Sequence, residues 1–215
     1  MDELELLKRQ WHRQESDLPH ISYEDIYKMI LKKSSSIVKW IFLISIGEII
    51  LWSCLALLVS DSDQKFIQDI GLGNIMLVAN ILYYLVVVSF IILFYRNYKK
   101  ISTTDSVKDL MQNILRTRKT VKYFIIFNIA GAGIMILGIN IFYYFNQDLM
   151  FQLMIENQGI SPTMSKEKFF DMFFIIQLVL GVLIISAVFV FYRLVYGILL
   201  RRLNKNYKEL KKIEV

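Results

Sequence analysis

Residues 38–60 read VKWIFLISIGEIILWSCLALLVS, a run whose charged side chains are Lys39 at its start and Glu48 near its middle. As a helix it would rise roughly 35 Å, more than the ~30 Å hydrocarbon core of a bilayer. In hydrocarbon only a structure that satisfies every backbone N–H and C=O internally is stable, and within one segment that is a helix. A core helix of a soluble protein keeps a polar face; this run is apolar nearly all round. Three more runs of the same kind follow, at about 75–95 (IMLVANILYYLVVVSFIILFY), 123–145 (YFIIFNIAGAGIMILGINIFYYF) and 169–192 (FFDMFFIIQLVLGVLIISAVFVFY). The fold class expected is therefore all-α, a four-helix transmembrane bundle.

Composition agrees. Of 215 residues 55% are hydrophobic and 14% aromatic, with nine glycines and two prolines, which is more apolar surface than one soluble core can hide. The net charge of +6 does not suggest nucleic acid, because the basic residues flank the apolar runs instead of forming one patch. The lone Cys54 lies inside the first run and can form neither an internal disulfide nor a thiolate zinc site. Both histidines, His12 and His20, fall in the polar N-terminal segment, so no imidazole is available to ligate haem or a di-iron centre in the spans. No cofactor or metal is expected. Ser45, Ser53 and Cys54 have no histidine or aspartate partner within the spans, which argues against an enzyme. The opening MDELELLKRQWHRQE lacks the features of a cleaved signal, so the first span is expected to remain as an anchor.

Orientation follows from Lys and Arg, which resist translocation. Seven lie in residues 1–39, eight in 96–122 and seven from Arg193 onward, whereas 61–74 and 146–168 hold only Lys65, Lys166 and Lys168. Both ends and the central loop are thus expected in the cytoplasm. Aromatic residues mark the interfaces: Trp40, Tyr95, Tyr123 and Tyr192 on the inner side, Tyr143, Tyr144, Phe169 and Phe170 on the outer.

The halves resemble each other. VKWIFLISIGEII at 38–50 matches VKYFIIFNIAGAG at 121–133, and the closing spans end Phe94-Tyr95-Arg96 and Phe191-Tyr192-Arg193. Upstream of each pair, Tyr23, Ile26, Tyr27, Ile30 and Leu31 share one helical face, and Val107, Leu110, Met111, Ile114 and Leu115 repeat the spacing 84 positions later. These predict two cytoplasmic amphipathic helices and a tandem duplication of a two-span unit. An even number of crossings makes the repeats parallel, about an axis along the membrane normal. Ser22 to Asp25 fits a capping box, and Ser102, Thr103 and Thr104 offer caps for the second amphipathic helix. The amphipathic faces are expected to lie in the inner interface, to dock on a partner, or to pack on their own bundle. The organisation expected is a cytoplasmic arm and amphipathic helix over 1–36, two-span units over 37–95 and 123–200, a basic loop with the second amphipathic helix over 96–122, and a basic tail over 201–215.

Polar residues within the spans are the candidate functional or packing groups. Counting from the span starts puts Glu48 near the midplane and Gln177 within a few ångströms of the same depth, so the two are expected to meet. Asn80, Asn128 and Asn140 lie at other depths, and Asp171 lies near the outer boundary beside Lys168. Glu48 has two readings: a proton- or cation-binding carboxylate, as in small multidrug transporters with one glutamate in a first span, or a hydrogen-bonded packing group. This chain is longer than those transporters, has larger basic loops and lacks a second midplane acid. Gly131 and Gly138, seven apart on one face, are expected to form the closest helix-packing seam.

MDELELLKRQW together with IYKMILKKSSSIVKWIFLISIGE resembles a group of short uncharacterised four-span bacterial membrane proteins over the first fifty residues. That resemblance implies the bacterial cytoplasmic membrane and carries no activity. The expected function is a non-enzymatic accessory or regulatory protein, one version being an anti-sigma-like tether that works through the polar arm at 1–21. It would present basic segments to anionic lipid of the inner leaflet, to a cytoplasmic protein partner or to a second copy. The alternative is a small transporter or channel subunit that uses Glu48.

Overall fold

A computed structural model of the chain describes residues 22–158 and 165–213, together with Glu5. The expectations for the polar arm at 1–21, which holds both histidines, lie outside the described residues. Every described element is a helix: α1 (Tyr23–Ala56), α2 (Asp61–Asp69), α3 (Gly73–Ser102), α4 (Val107–Phe145), α5 (Gln147–Gln158) and α6 (Lys166–Ile213). The four long ones are long and apolar enough to cross a membrane, and the chain is a multi-pass membrane protein on that ground. Around the bundle the order is α1, α3, α4, α6, so each long helix packs mainly on two neighbours. Large side chains point outward along their middles, among them Leu85, Ile134, Leu137 and Ile175. Lipid tails are as apolar as these side chains, so that exposure costs nothing in a bilayer.

Local chemistry explains where the helices start and stop. Ser22 Oγ accepts from the Asp25 backbone N–H at 3.1 Å while the Asp25 carboxylate accepts from Ser22, which closes a capping box at the start of α1. Ser60 with Asp63 and Ser106 with Asp109 repeat the motif at α2 and α4. The cap of α4 is thus Ser106, not Ser102 to Thr104: Ser102 is the last residue of α3, and Thr103 and Thr104 turn back onto its carbonyls. At the end of α2, Gly71 takes φ 89°, and the N–H groups of Gly71 and Leu72 return to Gln68 and Ile67. This left-handed turn is one that glycine enters without steric cost.

Neither amphipathic stretch is a separate helix. Each forms the first turns of a spanning helix, α1 or α4, and its apolar face packs into the bundle. Ile30, Leu110 and Ile114 are buried, Tyr27, Leu31, Val107 and Met111 pack against them, and Tyr23, Ile26 and Leu115 remain exposed. Of the three placements expected for these faces, the fold takes packing on the protein's own bundle. The reason is length: α6 continues to Ile213, so its Leu203 and Leu210 supply the opposing apolar surface. The connections at 61–74 and 146–168 contain α2 and α5, which sequence reading did not anticipate. They pack at the other end around Phe66, Ile70, Leu72, Met150 and Phe170.

Candidate functional site: a buried carboxylate and a basic groove

Two buried polar contacts fix how α1 and α6 lie together. Asn206 Nδ2 donates to Ser34 Oγ at 2.9 Å, and the Tyr192 hydroxyl donates to Glu48 Oε1. Fourteen residues separate the contacts on each helix, so α1 and α6 run antiparallel and in register over about 21 Å. A second tyrosine one turn along α6, Tyr196, donates to Glu48 Oε2 at 3.3 Å. Glu48, Tyr192 and Tyr196 are all buried. A carboxylate in hydrocarbon is costly, and acceptance of two hydroxyl donors on a facing helix is what offsets the cost.

The other long helices supply polar groups close by. Tyr83 of α3 donates to Asn128 Oδ1 of α4 at 2.9 Å, and Asn128 Nδ2 is taken by the Phe124 carbonyl at 2.9 Å, so both ends of the amide are satisfied. Ser53 and Tyr84 share a hydrogen bond at 3.1 Å between α1 and α3. Glu48, Tyr83, Tyr84, Ser45 and Trp52 line one small gap between the helices. Phe124 lies against Tyr192 and Tyr196, with ring centroids 6.2 and 5.9 Å away, and seals the centre.

This geometry corrects the expected meeting of Glu48 with Gln177. Gln177 stands fifteen residues from Tyr192, about 22 Å along α6, and its Oε1 is buried with no partner among the described residues. Depths counted from Val38 and Phe169 assume a ~30 Å core, whereas the observed register sets Val38 opposite Arg202, about 50 Å along α6 from Phe169. Arg193 follows Tyr192 directly, Lys122 precedes Phe124 by two residues, and both are exposed, so the carboxylate lies toward the basic end. Asn80 is exposed and joins no described network, and Asn140 donates to its own helix at Ile136 O, 2.8 Å.

The closest helix approach also lies elsewhere than expected. A Cβ at Gly131 or Gly138 would meet nothing within 4 Å, whereas one at Gly181 would meet Ile136 Cγ2 at 3.1 Å. The α4–α6 seam therefore closes at Gly181; Gly138 points outward. Small-residue spacing within α4 carried no information about which face α6 covers.

At the basic end a second feature appears, an open groove of about 640 Å³ between α1 and α6. Lys32 and Lys33 of α1 and Arg202 and Lys205 of α6 line it, with Glu209 as the one acid. Sequence reading assigned these cations to flanks and a tail. It did not bring them together, since that takes the α1–α6 register.

A family model described as a domain of unknown function, DUF8845, matches residues 24–215. No curated protein and no solved structure matches the chain.

Proposed function

Given that the chain belongs to the DUF8845 family, we propose from its geometry that it is a non-enzymatic accessory or regulatory protein of the bacterial cytoplasmic membrane whose basic end is the working surface. The observation that carries this reading is that the bundle does not stop at the apolar band. On the basic side the core of the four long helices continues unbroken through Ile30, Ile101, Leu110, Ile114, Leu203 and Leu210, beneath an exposed surface rich in Lys and Arg. Under this reading the basic end faces the cytoplasm, as the distribution of cations favours, and it meets anionic lipid, a protein partner or a second copy. A folded stalk with a buried core is a rigid platform, whereas a purely anchoring protein would need only its spans.

A tandem duplication belongs to the same reading. Each half runs long helix, short helix, long helix, and Ser22 and Ser106, the caps of the two opening helices, lie 84 apart. Ser34, Val38, Ile41 and Ser45 are buried in α1, and so are Thr117, Val121, Phe124 and Asn128, each 83 positions later. The Phe-Tyr-Arg triplets weigh the other way, since Phe94 is buried in one and Tyr192 in the other.

Photo-crosslinkers placed at Lys108 and Lys208, both exposed on the basic side, test the proposal in native membranes. Discrete adducts from these sites and none from Asp61 or Lys65 are expected; adducts confined to Asp61 and Lys65 would overturn it. The alternative, a small transporter or channel subunit, draws support from the buried Glu48 carboxylate. It requires Glu48→Gln to abolish a flux that the wild-type chain sustains in liposomes.

A further inference from the structure

The groove between α1 and α6 holds like charges face to face. Lys32 and Lys33 approach Arg202 and Lys205 because the buried Ser34–Asn206 hydrogen bond and the packing of Ile30, Leu203 and Leu210 hold the two helices together beneath them. The only internal counter-charge in the lining is Glu209, whose carboxylate stands 4.0 Å from Lys205 Nζ on its own helix. Four cations against one carboxylate leave a positive cleft, and mutual repulsion there is relieved by a bound anion.

The groove's surroundings point to the source of that anion. On α1 its face, Met29, Lys32, Lys33, Ser36 and Ile37, continues at helical spacing to Trp40, 57% exposed, and then Leu43. On α6 the face of Arg202 and Lys205 continues to Ile198 and Leu194, also exposed. The cationic cleft thus opens onto an apolar track that runs toward the membrane band, with an indole at the junction. A soluble phosphate would use the cleft and ignore the track. A phospholipid would use both, with its phosphate among the cations and its chains along Trp40 and Ile198.

We infer that this groove is a binding site for the phosphate-bearing headgroup of an anionic phospholipid. The inference rests on the basic end being the working surface, and it adds the ligand that this end holds.

Trp40 is a native reporter. With Trp11 and Trp52 replaced by Phe, the full chain in detergent micelles is titrated with dibrominated phosphatidylglycerol or dibrominated phosphatidylcholine. The anionic lipid is expected to quench Trp40 at about tenfold lower mole fraction. Lys33→Gln with Arg202→Gln removes that preference, while Lys108→Gln, off the groove, and the conservative Arg202→Lys retain it. Circular dichroism and size-exclusion profiles confirm that each variant is folded. Equal quenching by the two lipids, or a preference that survives in the folded double variant, would overturn the site. Displacement of the brominated lipid by millimolar glycerol phosphate would overturn the lipid as source and assign a soluble anion instead. No preference in the chain with Lys33 and Arg202 intact, with basic-end crosslinks observed, would sink the lipid site alone; absence of both would sink the reading beneath it.

Discussion

Glu48 accepts hydrogen bonds from Tyr192 and Tyr196, two hydroxyls one helical turn apart on α6. Its identity as a notable residue was legible in the sequence, because an acid in an apolar run is expensive; its partners were not, because they depend on how far α6 extends. If the carboxylate is a packing group, Tyr192→Phe should destabilise the detergent-solubilised protein by about 1–2 kcal/mol, the upper range for interhelical hydrogen bonds in membranes. Glu48→Gln with Tyr192→Phe should then show non-additive losses in a double-mutant cycle of thermal melts. Strict additivity would deny the contact. At the start of α1, the hydrogen bond from Ser22 holds the Asp25 carboxyl below its ordinary value of 3.8. A depressed folded value means that the cap's contribution is complete above the unfolded value and is lost as pH falls through the folded one. Amide protection factors at Asp25 and Ile26, taken against the intrinsic exchange rate at each pH, should therefore fall only in that acidic range, and Asp25→Asn should abolish this fall.

Each long helix can be traced to an apolar run with cations at the basic end, and α1 and α4 also to a Ser-x-x-Asp cap. The four-residue pattern that caps α1 at Ser22 also stands in plain sequence at Ser60 and Ser106. The Ser60 motif would have revealed α2. What local signals could not give was register, since apolar helices slide past one another with little preference until a polar pair pins them. Ser34 and Asn206 form such a pair, both buried. Asn206→Leu alone should cost about 1–2 kcal/mol by leaving a hydroxyl unpaired, whereas Ser34→Ala with Asn206→Leu should recover much of that loss. Equal melting of the single and double variants would contradict the pairing. Packing tightness is likewise a property of facing elements: Gly181→Leu should weaken the α4–α6 seam strongly, and Gly138→Ala should be nearly silent in the same melts.

At the scale of the molecule, the packing falls into two clusters. Toward α2 and α5 the bundle ends in an aromatic cluster around Phe170 and Phe66, and at the opposite end it continues as a stalk with buried leucines and isoleucines. The four spans and the charge asymmetry were readable from composition along the chain, because both come from short stretches. The stalk was not, because its core is assembled from four segments far apart in sequence. The proposed role requires these helices to cross the bilayer with their basic ends in the cytoplasm. Single cysteines at Lys65 and Lys108 in a Cys54→Ser background test this most directly. A membrane-impermeant maleimide should label Lys65→Cys in intact spheroplasts and label Lys108→Cys only after the membrane is opened. Labelling of Lys108→Cys in intact spheroplasts, with Lys65→Cys protected, would contradict it.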